Sequence, residues 1–383
     1  MDILVIGNGF DLAHKLPTTY ADFLRFTRLI QDILKVEFSE VNWDGVNEKL
    51  KEVITDNLSS NTNHIYPRAL EWQDLIEGNF WIEHFNRCRN YKDKNWIDFE
   101  SEISSVVQAI DIGIHTDDKQ GITTEYNMDY ECVEVKYKEH TIFTLEEKEY
   151  YLDDVIATAH EKLYIDLKKL TRALELYLVL YVNNIVIDIK SPDIEALNPD
   201  KVLSFNYTDT YDKLYAPTTG VEYDFIHGKA EYLRDLETNN MVLGIDEYLP
   251  NDRKDKEVQF IAYKKYYQRI FKGTGCLYKD WVELMQSQTY KHTSGNMPVA
   301  AGAHQLYVFG HSLDITDKDV LKVLIVNDWV ETTIFYYNRI DLGQKIANLV
   351  KVIGQDELIK RTGGPTKTIT FKQQADMVSA VRK

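Results

Sequence analysis

The chain has 383 residues, of which 44% are hydrophobic, so it can bury a sizeable core. Its formal net charge of −17 argues against sequence-independent binding of nucleic acid, because proteins that bind in this way contact the phosphates with clustered Lys and Arg. The three cysteines lack Cys-x-x-Cys spacing, which excludes a disulfide framework and a standard zinc ribbon, and no zinc is expected.

No apolar run reaches the ~18 residues that span a bilayer. A strand is predicted from the start of the chain, which leaves no room for a signal peptide. The sequence therefore predicts a cytoplasmic protein without a membrane segment.

The first predicted element is a buried strand over residues 2–6, which the glycine-rich turn Gly7-Asn8-Gly9 follows at once. Many nucleotide-binding α/β folds begin in this way. The full dinucleotide fingerprint needs a third glycine at position 12, where this chain has Leu12. The turn is therefore compatible with a phosphate site and with a plain strand-to-helix corner.

A helix is predicted next, because Thr18 or Thr19 can cap it and apolar residues then recur at helical spacing. The loop between the glycines and this helix is longer than a strand-to-helix corner needs. Ligands of parallel α/β sheets gather at such loops, at the carboxyl ends of strands. The candidate ligand contacts in this loop are Asn8, Asp11 and His14.

Residues 31–195 differ from both flanks, since their apolar positions recur mostly every three or four residues. This spacing predicts a large, mainly helical insertion, and an alternating stretch near residues 131–145 predicts a hairpin. The predicted domains are 1–30, the first strand and helix of the core; 31–195, the insertion; 196–353, the rest of the core; and 354–383, a C-terminal extension.

From about residue 200, short strands alternate with helices, which predicts a parallel sheet flanked by helices, a Rossmann-like α/β fold. Strands are predicted in KVLSF, VEYDFI, MVLGI, HQLYVF and TTIFYY, and Thr316 is the predicted cap of a helix after the fourth. Carboxyl ends of parallel strands share one edge of a sheet. Polar residues predicted to meet at this edge are Asn8, Asn206, His227, Asp246 and His311, with Gly310 and Ser312 beside the last.

Each of these residues also has a purely structural interpretation. Asn206 can cap the helix that follows it. His227 can be a hydrogen-bonded core histidine, and Asp246 a turn residue.

Six segments together resemble the AbiH family of bacterial abortive-infection proteins. The resemblance covers most of the chain, in the family's order, and implies an anti-phage effector. The segments are ILVIGNGFDLAHKLPTTYADF, NWIDFE, SFNYTDTYDKLY, IHGK, LGID and VFGHSLDITDK.

The same series is also similar to a diverged sirtuin-like domain. That superfamily has a Gly-x-Gly turn, a strand end with Asn, a His-Gly pair and a Gly-x-Ser strand end, in this order. The matching positions here are Gly7-Asn8-Gly9, Asn206, His227-Gly228 and Gly310-His311-Ser312.

Protein deacetylases of the sirtuin type carry a four-cysteine zinc module, which three cysteines cannot build. Sirtuin-like domains of bacterial defence systems lack the zinc and destroy NAD. The resemblance therefore implies NAD as the substrate, cleaved at the nicotinamide–ribose bond. His227 would accept a proton, and Asn206 would hold the ribose or a water. The implied nucleotide contacts are Gly7, Asn8, Gly9, Asp11, His14, Asp246, Gly310, His311 and Ser312.

Two other functions are compatible with the same residues. One is a metal-dependent phosphoesterase or nuclease, for which the chain has the histidines 14, 227 and 311 and the aspartates 11, 246, 314 and 317. The other is a module that senses a nucleotide without turnover. The sequence leaves open a phage-derived trigger and a homo-oligomeric state.

Overall fold

The structure is a computed structural model that describes residues 1–34, 41–59, 69–88, 98–115, 122–128, 130, 132–145, 152–215, 220–250, 252–293, 304–365 and 367–380. Its contacts divide the chain into two compact units. Unit 1 comprises Met1–Thr18, Ile185–Lys229 and Gly273–Lys383, and unit 2 comprises Thr19–Asn184 and Ala230–Lys272. The predicted domain limits, with an insertion over 31–195, stay a prediction.

Strands and helices are numbered separately in chain order. The strands are β1 Asp2–Ile6, β2 Ile122–Asn127, β3 Cys132–Tyr137, β4 His140–Leu145, β5 Ile189–Lys190, β6 Lys201–Ser204, β7 Glu222–Phe225, β8 His304–Phe309, β9 Val330–Tyr336, β10 Ile369–Gln373 and β11 Val378–Ser379. The helices are α1 Asn8–Ala13, α2 Tyr20–Ile33, α3 Glu48–Ser59, α4 Ala69–Ile76, α5 Phe80–Arg87, α6 Phe99–His115, α7 Leu152–Leu180, α8 Pro192–Glu195, α9 Thr210–Tyr215, α10 Lys265–Lys272, α11 Tyr278–Thr293, α12 Lys318–Ile325, α13 Arg339–Ile353 and α14 Gln355–Thr362.

Unit 1 is built on a six-stranded sheet in the order β10-β9-β8-β1-β6-β7, and its strand pairs are parallel. The predicted α/β fold with a parallel sheet is therefore confirmed. Alternate residues of β1 enter different cores: Ile3 and Val5 join one hydrophobic cluster, and Leu4 and Ile6 join another. A strand buried on both faces explains why β1 is continuously apolar instead of alternating.

The order of the strands creates a switch point beside β1. After β1 the sheet continues through β6 and β7 on one side, and the chain then returns to place β8 on the other side of β1. In open α/β sheets, ligands bind at the carboxyl ends of strands where the strand order reverses in this way. The topology therefore favours a ligand at the turns after β1, β6 and β8.

Unit 2 is mainly helical and contains an antiparallel sheet of β2, β3 and β4. The stretch near 131–145, where alternation predicted a hairpin, holds β3 and β4. The ring of Phe26 packs against those of Tyr177 and Tyr181, each with centroids 4.7 Å away. Such aromatic packing between α2 and the end of α7 is part of the core of this unit.

The segment between the glycine turn and α2 differs from the prediction. It holds the short helix α1, so the expectation of a long polar loop is wrong. The fully buried ring of Phe10 anchors this helix in the core of unit 1. The start of α2 is as predicted, because Thr19 caps it and forms a capping box with Asp22.

The MVLGI segment is not a strand, and its pairing is limited to a single bridge between Ile245 and Lys264. The side chain of Gln268 replaces a strand partner, since its amide accepts from the backbone N–H of Leu243 and donates to the carbonyl of the same residue. Asp246 therefore does not follow a strand of the parallel sheet, and it belongs to unit 2.

The cap of the helix after β8 is also not the predicted one. A 3₁₀ turn over Ile315–Asp317 precedes α12, and the carboxylate of Asp314 accepts from the backbone N–H of Thr316. Thr316 therefore receives a capping bond instead of providing one. No helix in the described part of the chain combines the length and the apolar character needed to cross a membrane.

Candidate functional site

The candidate site lies in unit 1, where β1, β6, β7 and β8 end. Four of the five polar residues predicted at strand ends come just after strands of the parallel sheet: Asn8, Asn206, His227 and His311. Asp246 is the exception, because it belongs to unit 2.

The glycines of the first turn allow two backbones to cross closely. The N–H of Gly9 donates to the carbonyl of Gly310 at 2.8 Å, and a Cβ on Gly9 would lie 2.7 Å from that oxygen. The N–H of Gly7 donates to the carbonyl of Phe309. These two amides are used within the protein, so we do not assign phosphate binding to them.

Three predicted contacts have different environments. Asn8 is exposed, and its side-chain oxygen accepts from the Thr18 hydroxyl at 2.6 Å. Ser312 is also exposed. The ring nitrogens of buried His14 lie 2.7 Å from the carbonyl of Phe10 and 2.8 Å from the hydroxyl of Tyr215, so its bonds are satisfied internally.

Asp11 is a buried carboxylate, 1% exposed, on the inner side of α1. Its Oδ2 accepts from the Thr208 hydroxyl at 2.6 Å, and its Oδ1 has no hydrogen-bond partner among the described residues. Burial raises the pKa of Asp11 to about 6, although Thr208 and Thr210 lower it. This carboxyl group therefore changes its charge just below neutral pH.

Asn206 has an unusual environment for a buried amide. It is 5% exposed, yet in the part of the chain that the structure describes neither its side-chain oxygen nor its nitrogen has a hydrogen-bond partner. It does not cap α9, and its side chain is close enough to Asp11 for a weak hydrogen-bonding interaction, which lowers the pKa of that carboxyl group. Leaving such groups unsatisfied costs about 1–3 kcal/mol each, which is a common sign of a ligand or water.

Two histidines face one carboxylate in this site. Nε2 of His227 lies 3.3 Å from Oδ1 of Asp317, and Nε2 of His311 lies 3.4 Å from Oδ2. The backbone N–H of Leu313 donates to Nδ1 of His311, so the neutral ring carries its proton on Nε2, toward Asp317. The ring of Phe205 packs edge-on against both imidazoles.

Helix α13 fixes the loop that carries His311. Nζ of Lys345 donates to the carbonyl of His311 at 2.6 Å, and the amide of Asn348 donates to the carbonyl of Ser312 at 2.9 Å. Burial lowers the pKa of Lys345, against the effect of Asp341. Neither Lys345 nor Asn348 was predicted from the sequence. The only indication there is that two polar residues, three positions apart, lie in a helix that packs on the core.

Of the residues predicted for the metal-binding alternative, His227, His311 and Asp317 come together, but they form no compact three-ligand group among the described residues. Within the described ranges, the three-ligand group whose atoms lie within 4.8 Å of one another is His84, Cys88 and Glu102, in unit 2. The histidines and aspartates considered for a phosphoesterase are not part of it. The geometry therefore does not favour that function.

The raised pKa of Asp11 makes a prediction about stability. Its pKa is about 6 in the folded protein and 3.8 in an ordinary environment, so the folded state holds this proton more tightly between these values. The unfolding free energy of the wild type therefore loses a contribution as the pH rises from about 4 to 6. The variant Asp11→Asn has no titrating group at this position and does not show this loss. Its unfolding free energy, relative to that of the wild type, should therefore increase by up to about 3 kcal/mol between pH 4 and pH 6 and stay constant above pH 6. Urea unfolding of both proteins between pH 4 and 8 measures the difference; a difference that does not vary with pH would refute it.

Fold and site together define a parallel α/β protein with buried, unpartnered polar groups at the switch point of its sheet. A family model described as "Bacteriophage abortive infection AbiH" matches residues 3–337. The chain therefore belongs to the AbiH family, as its motifs predicted. A comparison with curated proteins finds none that matches. The family match does not support the sirtuin-like resemblance, which depends on the short motifs alone.

Proposed function

We propose that this AbiH protein is an abortive-infection effector that hydrolyses NAD at the nicotinamide–ribose bond. The observation that carries the proposal is the buried and unpartnered amide of Asn206, close to the partly unpartnered carboxylate of Asp11. The two residues that flank Asn206 in the chain, Phe205 and Tyr207, both have rings in contact with His227. The amide of Asn206 and the carboxylate of Asp11 are thus close to each other, and His227 packs against the two neighbours of Asn206 in the chain.

These groups suit cleavage of an N-glycosidic bond. The bond between C1′ of the ribose and the nicotinamide nitrogen breaks through a state with positive charge on the ribose, and nicotinamide leaves as a neutral molecule. Water adds to C1′ and gives ADP-ribose, and its proton goes to a base. Asp11, ionised above about pH 6, can stabilise the positive ribose, and the amide of Asn206 can bind a ribose hydroxyl with its oxygen and nitrogen.

His227 is the base in this proposal. Because Nε2 faces Asp317, a proton on this nitrogen leaves Nδ1 as the basic atom. Once His227 has accepted a proton, the carboxylate of Asp317 stabilises the imidazolium, as in other paired acid–histidine sites. His311 contacts the second oxygen of Asp317 and fixes its orientation.

The experiment follows the products of NAD in water enriched in ¹⁸O. Purified protein is incubated with NAD and a lysate of phage-infected cells, which supplies any trigger. We expect nicotinamide and ADP-ribose with one ¹⁸O atom, and almost none with Asn206→Ala. A wild-type protein that arrests infected cells while NAD stays intact would contradict the proposal. NAD binding without release of nicotinamide would indicate a sensing module instead.

A further inference from the structure

A second cluster of reactive side chains lies in unit 2, outside the site described above. His84 is on α5 and Cys88 follows the end of this helix, so the two residues, four apart, lie on one helical face. Glu102 is on the first turn of α6. One ligand atom of each residue lies within 4.8 Å of those of the other two, and Nε2 of His84 is 3.5 Å from the Glu102 carboxylate.

His84 provides an independent sign that this cluster holds something. Its side chain is 3% exposed; among the described residues Nδ1 has no hydrogen-bond partner, and Nε2 has only the ion-pair contact with Glu102 at 3.5 Å. The ring is nevertheless held in place, because it stacks on Phe80 and contacts the rings of Tyr137 and His140. Buried polar groups without a partner are rare, and an absent ligand is one of their usual causes.

We propose that His84, Cys88 and Glu102 bind a divalent cation of the zinc class. Imidazole, thiolate and carboxylate are the three ligand types that zinc takes from proteins, and the thiolate selects against magnesium and calcium. The charges of one thiolate and one carboxylate neutralise those of the cation. The fourth position of a tetrahedral ion is then filled by water or by another group.

Metal binding at this site displaces a proton. Burial, with the charge of Glu102 beside it, raises the pKa of Cys88 to about 12, so the thiol is protonated without a metal. The cation replaces this proton, and the S–H bond breaks as the metal–sulfur bond forms. Lys138 lies close enough to lower the pKa of Cys88 and opposes a cation, an effect that the two anionic ligands offset. Zinc was not expected from the sequence, because a single cysteine does not form the Cys-x-x-Cys spacing.

The first test is titration of the full-length, chelator-treated protein with Co²⁺. We expect one ion per chain with a thiolate-to-cobalt charge-transfer band, and competition by Zn²⁺. Cys88→Ser and Glu102→Gln should weaken binding more than ~100-fold, since even indirect partners of metal ligands contribute 10–100-fold. Cys132→Ser is the matched control, a cysteine of the same unit outside the cluster, and should bind as the wild type does.

A second readout does not depend on whether these variants fold. Maleimide labelling of the wild type is followed by mass spectrometry with and without Zn²⁺. At ~10 times the dissociation constant, we expect the labelling of Cys88 to slow by about 10-fold, while exposed Cys276 is unaffected. The proposal is overturned if the wild type does not bind Co²⁺ or Zn²⁺, if Cys88→Ser binds as tightly as the wild type, or if Zn²⁺ leaves the labelling of Cys88 unchanged. In these cases the cluster is a hydrogen-bonded group without a metal.

Discussion

His227→Ala is expected to reduce the rate of NAD cleavage by ~100- to 10,000-fold, the usual effect of losing a general base. The loss should appear mainly in kcat, because the proton transfer occurs during the reaction and the other proposed contacts to NAD remain. Steady-state kinetics of the triggered protein measure both parameters, and circular dichroism verifies the fold.

The control for this variant is His304→Gln. His304 is 4% exposed, comparable to His227, but it lies at the amino end of β8, where Nδ1 is 3.2 Å from the amino group of Met1. We expect this variant to keep wild-type turnover. Asp317→Asn tests the positioning of the base: it should shift the pH profile of kcat as well as its maximum, whereas a purely structural role of Asp317 would leave the profile in place. Full activity of His227→Ala would eliminate the assigned base.

Gly310→Ala is expected to destabilise the fold by several kcal/mol, on the order of 3–5, which puts it among the most damaging single substitutions. Gly310 has a φ of +68°, which favours glycine, and a Cβ there would lie 2.1 Å from the backbone nitrogen of Phe10. The backbone of α1 would have to move away from the turn after β8. Chemical unfolding measures the loss of unfolding free energy.

Gly343→Ala provides the comparison. Gly343 lies inside α13, and a Cβ there meets no atom within 4 Å. Alanine favours a helix by up to about 1 kcal/mol over glycine, so this variant should be as stable as the wild type or more so. If Gly310→Ala unfolds at the same urea concentration as Gly343→Ala, the two turns do not cross closely.

The parallel sheet could be predicted from the sequence because its signals are local. The apolar residues of β1 and the glycines after it define a buried strand and a turn without reference to the rest of the chain. Thr19 and Asp22 likewise lie close in sequence, and the start of α2 follows from them. The identity of the strand partners is not local, but a series of alternating strands and helices restricts it strongly.

The role of the glycine turn could not be predicted, because it depends on a residue about 300 positions away. Gly9 resembles a phosphate-binding glycine in the sequence, yet its amide is occupied by Gly310. The environment of His14 could not be predicted for the same reason, because its ring forms a hydrogen bond with the hydroxyl of Tyr215, a residue far away in the sequence. MVLGI has the composition of a strand, but its backbone is bound by the side chain of Gln268.

Within the candidate site, the sequence indicated which residue types come together but not which hydrogen bonds and ion pairs they form. Asn206 and His227 were recognisable as polar residues at strand ends. That the amide of Asn206 is left without partners, and that His227 and His311 share Asp317, depends on three-dimensional packing. Because the proposed NAD cleavage depends on this packing, its decisive test requires the intact protein.

The most direct measurement is the NAD and nicotinamide content of phage-infected cells that contain equal amounts of the wild type or of His227→Ala. We predict that NAD falls and nicotinamide rises after infection with the wild type, while His227→Ala leaves both at the level of infected cells without the protein. Growth arrest by the wild type with unchanged NAD, or an equal fall of NAD with His227→Ala, would contradict the proposed activity.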